Sequence, residues 1–106
     1  METILVLIVD DEPIIRQMYA DVLAEHGYQV LIAKNATEGI ATVKRGAVDV
    51  ILMDIVMPEM TGLEALEALQ QIAPETPVIM VTSHPTSENA IAALKLGACD
   101  FLSKGF

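Results

Sequence analysis

The sequence predicts an α/β fold with a single doubly wound parallel sheet of five strands in the order 2-1-3-4-5. Short apolar runs rich in β-branched residues alternate along the chain with longer segments of helical period. The runs are apolar on both alternating faces, as strands covered by helices on both sides require. A chain of 106 residues has room for one core, so residues 1–106 are predicted to form one domain.

The first strand is predicted over residues 4–9, and a helix follows it. Pro13 is favourable in a first helical turn, and Gly27 is favourable just past a helix end. Apolar residues of this segment recur at helical spacing: Ile14, Ile15, Met18, Val22 and Leu23. A second strand is predicted over 28–33, and Asn35 is the expected cap of a second helix.

The third strand, residues 48–54, ends in Asp54, after which Pro58 and Gly62 force a loop. The remaining elements are a helix with Leu63, Leu66 and Leu69 on its core face, a strand over 78–81, a helix capped by Thr86 or Ser87, and a strand over 99–103. Cys99 opens that last strand without a basic neighbour in sequence, so we expect it to be a small buried residue.

Composition and charge exclude several classes of function. Hydrophobic residues make up 53% of the chain, too many for a disordered protein, yet no apolar run approaches the ~18 residues of a membrane span. Fifteen acidic residues against six basic ones give a net charge of −9. Direct nucleic-acid binding is therefore not expected, because phosphate contacts need clustered Lys and Arg. A single cysteine and no signal-peptide pattern favour a cytoplasmic protein.

Three aspartates follow two strands that this strand order makes neighbours. Asp10 and Asp11 follow the first strand, and Asp54 ends the third. Neighbouring strands lie ~4.8 Å apart, so we expect the three side chains to share a pocket at the carboxyl edge of the sheet. Carboxylates this close need a cation or a proton. Mg²⁺ fits because it takes one or two carboxylates, keeps several waters and leaves room for phosphate oxygens.

Thr82 and Lys104 end two further strands at the same edge. Each residue has an ordinary explanation by itself. Asp10 and Asp11 could cap a helix, Asp54 could form a loop, and the other two could be a plain strand-end hydroxyl and a solvated lysine. Together they place a carboxylate nucleophile, a hydroxyl donor and a fixed cation around one pocket. This combination indicates that Asp54 is a phosphoryl acceptor.

Four motifs resemble those of the receiver domains of bacterial two-component response regulators, such as the chemotaxis regulators. They are residues 9–12, 53–62, 81–83 and 97–104, and the resemblance covers essentially the whole chain. It implies a flavodoxin-like fold and a regulatory domain that accepts a phosphoryl group on Asp54 from a sensor histidine kinase. It also implies that the domain turns over no external substrate.

The resemblance implies roles for individual residues. Asp11, Asp54 and the backbone carbonyl of Val56 would ligate Mg²⁺, and Asp10 would act mainly through a metal-bound water. Lys104 would contact one phosphoryl oxygen. This assignment suits phosphoryl transfer, which needs charge on the equatorial oxygens to be neutralised.

The resemblance also identifies the residues of a switch. Thr82 would turn its hydroxyl toward a phosphoryl oxygen, and Phe101 matches an aromatic position that moves inward as Thr82 moves. Val56 and His84 lie two residues after Asp54 and Thr82, at positions that modulate phosphoryl lifetime in the family. They could equally be an ordinary loop residue and an exposed histidine.

Two features depart from the family pattern. Gly105 follows Lys104, where the family usually has a proline in a cis peptide bond. Because a cis bond before a non-proline residue costs ~2.5–4 kcal/mol, we predict a trans bond or a loose loop there. The sequence ends at Phe106, so the family's fifth helix is missing and an apolar face beside the first helix should be exposed. That face favours a homodimer or a foreign covering element, unless the chain was deliberately truncated.

Three other functions compete with a phosphorylation-activated receiver. An aspartyl-phosphate phosphatase would need a second acid two residues after the nucleophile, where the sequence has Val56. A flavin-binding module would need a Ser-, Thr- or Gly-rich loop after the first strand, where residues 10–12 are acidic. The alternative that stays open is a receiver-fold interaction module that has lost its switch, because Gly105 and the missing helix favour it.

Overall fold

The computed structural model describes residues 3–104 of the chain. Five strands and four helices alternate: β1 Leu5–Val9, α1 Pro13–Glu25, β2 Gln29–Ala33, α2 Ala36–Lys44, β3 Val50–Met53, α3 Gly62–Ile72, β4 Val78–Thr82, α4 Ser87–Lys95 and β5 Asp100–Ser103. All neighbouring strands are parallel, in the order β2-β1-β3-β4-β5. The predicted doubly wound, flavodoxin-like fold is confirmed, and the described residues contain no fifth helix.

One face of the sheet carries the main core. Leu7 is level with Ile51, and Val9 is level with Met53, so these side chains point to the same face. They pack with apolar residues of α2, α3 and α4, among them Leu66, and all of them are almost completely buried. Full burial of such a side chain contributes about 1.5–3 kcal/mol to the stability of the fold. Packing on this face therefore stabilises the strands whose ends carry the acidic residues.

The opposite face of the sheet is only partly covered. On this face α1 packs mainly on β1 and β2. Beside it lies an apolar groove of about 290 Å³. Its lining includes Val6, Tyr28, Val50, Leu52 and Ile79. Within residues 3–104, Tyr28 is exposed and Val50, Leu52 and Ile79 are partly exposed along this groove, in agreement with the uncovered apolar face that the sequence predicts.

In α1, Ile15 is buried, whereas Ile14, Met18 and Val22, which are four residues apart on one side of the helix, are exposed. One expectation about burial is wrong. Cys99, expected to be buried, is exposed. It precedes β5, an edge strand with a single neighbouring strand, so fewer atoms surround it than would surround a residue of a central strand.

Side-chain caps fix the starts of three helices. The Oδ1 atom of Asn35 accepts the N–H of Glu38 at 2.8 Å, which confirms the predicted cap of α2. Thr86 caps α4, which decides between the two predicted candidates. At α3, Thr61 and Glu64 form a reciprocal capping box. This box stabilises the helix start directly after the loop that follows β3.

Ala47 lies in the turn after α2 with a positive φ of 69°. This left-handed conformation costs a residue with a Cβ about 1–2 kcal/mol, so Ala47→Gly is expected to stabilise the protein by about 1 kcal/mol. Ala41→Gly in α2 is the matched control and should destabilise by about 0.5–1 kcal/mol. Urea unfolding of both variants checks the prediction, and a loss of stability in both would contradict it.

Candidate functional site

Backbone hydrogen bonds of the sheet fix the positions of the candidate residues. The N–H of Asp10 donates to a β2 carbonyl at 3.1 Å, and the N–H of Asp54 donates to the carbonyl of Val9 at 3.0 Å. The N–H of Lys104 donates to the carbonyl of Thr82 at 2.9 Å. These three residues therefore leave β1, β3 and β5 at the same edge, and the structure brings their side chains together.

The ammonium of Lys104 lies at the centre of this pocket. Its Nζ is 2.9 Å from Oδ2 of Asp10, 3.2 Å from Oδ2 of Asp54 and 3.2 Å from Oε1 of Glu12. An ammonium carries three protons, so each carboxylate can receive one. The side chains of Lys104, Asp10 and Asp54 are almost completely buried, whereas that of Glu12 is 54% exposed.

Local structure at the start of α1 holds Asp10 and aims Glu12. The Oδ1 atom of Asp10 accepts the N–H of Glu12 at 2.9 Å, and Arg16 donates to the backbone carbonyl of Asp10 at 2.9 Å. Pro13 begins the helix, so Glu12 occupies the N-cap position with an extended backbone. Its side chain makes no cap hydrogen bond. Glutamate is a poor N-cap residue, and this side chain reaches across to Lys104 instead.

Asp11 completes an acidic cluster at this edge. One carboxylate oxygen from each of Asp10, Asp11, Glu12 and Asp54 lies within 4.8 Å of the others. Oxygen ligands in such a group suit a hard divalent cation, held directly or through water. The residues therefore fit the Mg²⁺ site predicted from the sequence, and Glu12 is an acid that the prediction did not include.

Burial and neighbouring charges shift the pKa values of Asp54 and Lys104. Burial raises the pKa of the Asp54 carboxyl, and the charge of Asp10 raises it further, so that the attraction of Lys104 is outweighed. Burial alone would lower the pKa of Lys104, but its hydrogen bond to Asp10 and the charge of Asp54 raise it. The Lys104 ammonium therefore stays charged at neutral pH. An additional cation beside Asp54 would stabilise its ionised carboxylate.

No hydrogen bond of the described residues joins the predicted switch residues to Asp54. Thr82 is fully buried, and its Oγ1 accepts the N–H of His84 at 3.0 Å. Phe101 is half-buried against the core cluster, level with Met80 of β4. Val56, two residues after Asp54, is half-exposed.

The peptide bond between Lys104 and Gly105, predicted to be trans, lies outside the described residues.

Gly62 lets the loop after Asp54 close tightly. Its N–H donates to the carbonyl of Ile55 at 2.7 Å. A Cβ at this position would overlap the backbone carbonyl of Asp54 and lie 2.9 Å from the Cα of Ile55. Glycine is therefore required here for a close approach of two backbone segments.

Fold and site together define a doubly wound α/β protein with a buried lysine inside an acidic pocket. Residues 6–106 match the family model described as the response regulator receiver domain. The chain belongs to this family, whose receiver domains are regulatory phosphoacceptors of two-component signalling.

Known proteins similar to the chain agree with this assignment. The probable transcriptional regulatory protein TcrX of Mycobacterium tuberculosis is 33% identical over 105 residues, which cover 99% of this chain and 45% of TcrX. The chemotaxis protein CheY4 of Vibrio cholerae is 34% identical with a TM-score of 0.93, and the match covers 99% of this chain and 89% of CheY4. TrrA of Thermotoga maritima, solved in complex with Mg²⁺–BeF, is 28% identical with a TM-score of 0.89, covering 98% and 89%.

The chain spans less than half the length of the curated relatives that it matches first. Among residues 3–104, none of the helices has the length and apolar character needed to cross a membrane.

Proposed function

We propose that residues 1–106 act as one cytoplasmic receiver domain in which Asp54 accepts a phosphoryl group from the phosphohistidine of a sensor histidine kinase, with Mg²⁺ as cofactor. The observation that carries this proposal is the buried Asp54 carboxylate, which lies beside two further aspartates and 3.2 Å from the Lys104 ammonium. The complex of the related TrrA with Mg²⁺–BeF supports the choice of cation.

Each residue of the pocket has a separate role in the proposed phosphoryl transfer. Asp11, Asp54 and the carbonyl of Val56 would hold Mg²⁺, with Asp10 acting through water, and the ion would neutralise charge on the phosphoryl oxygens. An oxygen of Asp54 attacks the phosphorus in line with the leaving nitrogen. The P–N bond breaks, a P–O bond forms, and the imidazole leaves. The Lys104 ammonium then binds a phosphoryl oxygen.

A switch would follow from the new charge at Asp54. The Thr82 hydroxyl can accept the His84 N–H and still donate its own proton, so it is free to hydrogen-bond a phosphoryl oxygen. Movement of Thr82 toward that oxygen would leave space into which the half-buried ring of Phe101 can turn. Phosphorylation would thereby bias two packings of the β4–β5 edge.

The test of this proposal is the intact mass of the protein after incubation with Mg²⁺ and a small phosphodonor such as acetyl phosphate. We expect a base-labile gain of one phosphoryl group that disappears in Asp54→Ala. Asp21→Asn on the exposed side of α1 is the matched control and should be phosphorylated like the wild type.

A folded wild-type protein that gains no mass with Mg²⁺ present would contradict the proposal. The alternative would then be a receiver-fold interaction module that has lost its switch.

For the apolar groove beside α1 we propose a second copy of the chain as partner. Leu102 on the neighbouring edge strand is 47% exposed, so an apolar surface continues from the groove to β5. Light scattering should show a dimer that Leu102→Asp weakens. Leu94→Asp on α4 changes a leucine that is 57% exposed outside the groove, and should leave the dimer intact. A monodisperse monomer for the wild type would count against self-association.

A further inference from the structure

Glu12 contacts the buried lysine of the pocket although its own side chain is largely exposed. Its Oε1 is 3.2 Å from the Lys104 Nζ, and its side chain is 54% exposed. Pro13 at the start of α1 and the extended backbone of the N-cap position present this side chain to the pocket. The contact spans 92 residues of sequence, so it depends on the folded sheet and not on local structure.

The Lys104 ammonium takes part of the space in which a divalent cation would find its ligands. It is within 3.2 Å of three of the four acidic residues whose oxygens cluster at this edge. A cation that binds Asp10 and Asp54 must therefore share these carboxylates with the ammonium or displace it. Because like charges repel, the ammonium and the cation compete unless the ammonium has another anion to pair with.

We propose that Glu12 is a positioning residue that draws the Lys104 ammonium away from Asp10 and Asp54, and so keeps these two carboxylates available to Mg²⁺. Glu12 is suited to this role because its side chain is exposed, whereas those of Asp10 and Asp54 are buried. The inference deepens the proposed function, on which it rests for the identity of the cation. Glu12 acts here through Lys104 and not as a ligand of the metal.

The primary test is the Mg²⁺ affinity of the full chain, measured by isothermal titration calorimetry. Without Glu12 the ammonium depends on Asp10 and Asp54 alone, so Glu12→Gln should weaken Mg²⁺ binding roughly twofold to fivefold, the range of a partly exposed ion pair. Glu25→Gln removes the same charge from the far end of α1 and should bind Mg²⁺ like the wild type. Equal affinities of all three proteins would overturn the proposal.

Two further variants separate positioning from simple charge. Glu12→Asp keeps the charge but shortens the side chain by one methylene, so it should lose the contact with Lys104 and bind Mg²⁺ as weakly as Glu12→Gln. In a Lys104→Gln background, the loss caused by Glu12→Gln should shrink, because the ammonium that Glu12 positions is absent. A wild-type affinity for Glu12→Asp, or the same fold-loss in both backgrounds, would show that Glu12 acts as a plain charge or a ligand.

The same samples distinguish failure of this inference from failure of the proposed function. Phosphoryl uptake by the wild type with acetyl phosphate tests Asp54 alone. If uptake occurs while Glu12→Gln binds Mg²⁺ normally, only the role of Glu12 is wrong. If uptake fails while the Mg²⁺ affinities follow the expected order, the receiver proposal is wrong and the positioning of Lys104 still holds.

Discussion

Lys104→Met is expected to destabilise the protein by about 3 kcal/mol at pH 7 without Mg²⁺, because it leaves two buried carboxylates without their cation. Methionine matches the length of the lysine stem and can fill the same space, so the loss reports on charge more than on packing. Urea unfolding followed by circular dichroism measures the difference. Lys95→Met, at an exposed position in the last turn of α4, is the control and should change stability by less than about 1 kcal/mol.

The pKa shifts of Lys104 and Asp54 make the stability of the protein depend on pH in opposite directions. The raised pKa of Lys104 contributes stability that is complete below about pH 10.4 and is lost as pH rises through the folded value. The raised pKa of Asp54 acts oppositely, since its carboxylate costs stability above the folded pKa and that cost vanishes toward about pH 3.9. In Lys104→Met the pKa of Asp54 rises further, so the variant should recover stability as pH falls from neutral.

Mg²⁺ should also reduce the loss in Lys104→Met. A ligand at one hundred times its dissociation constant adds about 2.7 kcal/mol to the stability of a protein that binds it only when folded. The gain should be larger for Lys104→Met than for the wild type, because no ammonium competes with the ion for Asp10 and Asp54. The divalent ion would replace the missing ammonium. A Lys104→Met variant as stable as the wild type at pH 7 without Mg²⁺ would show that the carboxylates do not depend on Lys104.

Gly62→Ala is expected to destabilise the protein by about 3 kcal/mol, because the new Cβ meets backbone atoms. This value is at the upper end of the cost of overpacking a core. The carbonyl of Asp54 and the Cα of Ile55 cannot turn aside as a side chain can. The loop must shift, and Asp54 shifts with it, so phosphoryl uptake should fall as well. Thermal unfolding and intact mass measure the two effects.

Gly39→Ala is the matched control for Gly62→Ala. Its Cβ would also come close to a neighbour, 2.8 Å from a methyl carbon of the buried Val9. Because this neighbour is a side chain and not backbone, the overpacking cost should lie near the lower end of about 1–3 kcal/mol. Alanine in the middle of α2 gains about 1 kcal/mol of helix propensity over glycine, so the net loss should stay below about 1 kcal/mol. Equal losses in the two variants would contradict the assigned role of Gly62.

The strand ends made most of the pocket predictable from the sequence. A parallel sheet brings the carboxyl ends of its strands to one edge, so the positions of Asp10, Asp54 and Lys104 along the chain fixed their meeting in space. Their backbone N–H groups join the sheet ladder, which leaves little freedom to their side chains. Local periodicity and caps were sufficient to predict the alternation of strands and helices, because both signals lie within single elements.

The contact of Glu12 and the exposure of Cys99 were not predicted, and for the same physical reason. Glu12 lies where a helix cap is expected, and its contact with Lys104 depends on the reach of a long side chain across two elements. Cys99 opens a strand of buried character, but its exposure depends on β5 having one neighbouring strand. Both outcomes are set by tertiary neighbours, which periodicity along one segment does not report.

The exposed thiol of Cys99 also provides a convenient chemical handle. It is the single cysteine of the chain, and it precedes β5 while Lys104 follows that strand. At about 3.3 Å per residue, the five residue steps from Cys99 to Lys104 separate their Cα atoms by roughly 16 Å. A maleimide fluorophore or spin label attached there would lie at the opposite edge of the sheet, and could report cation uptake or phosphorylation of the aspartate without contacting it.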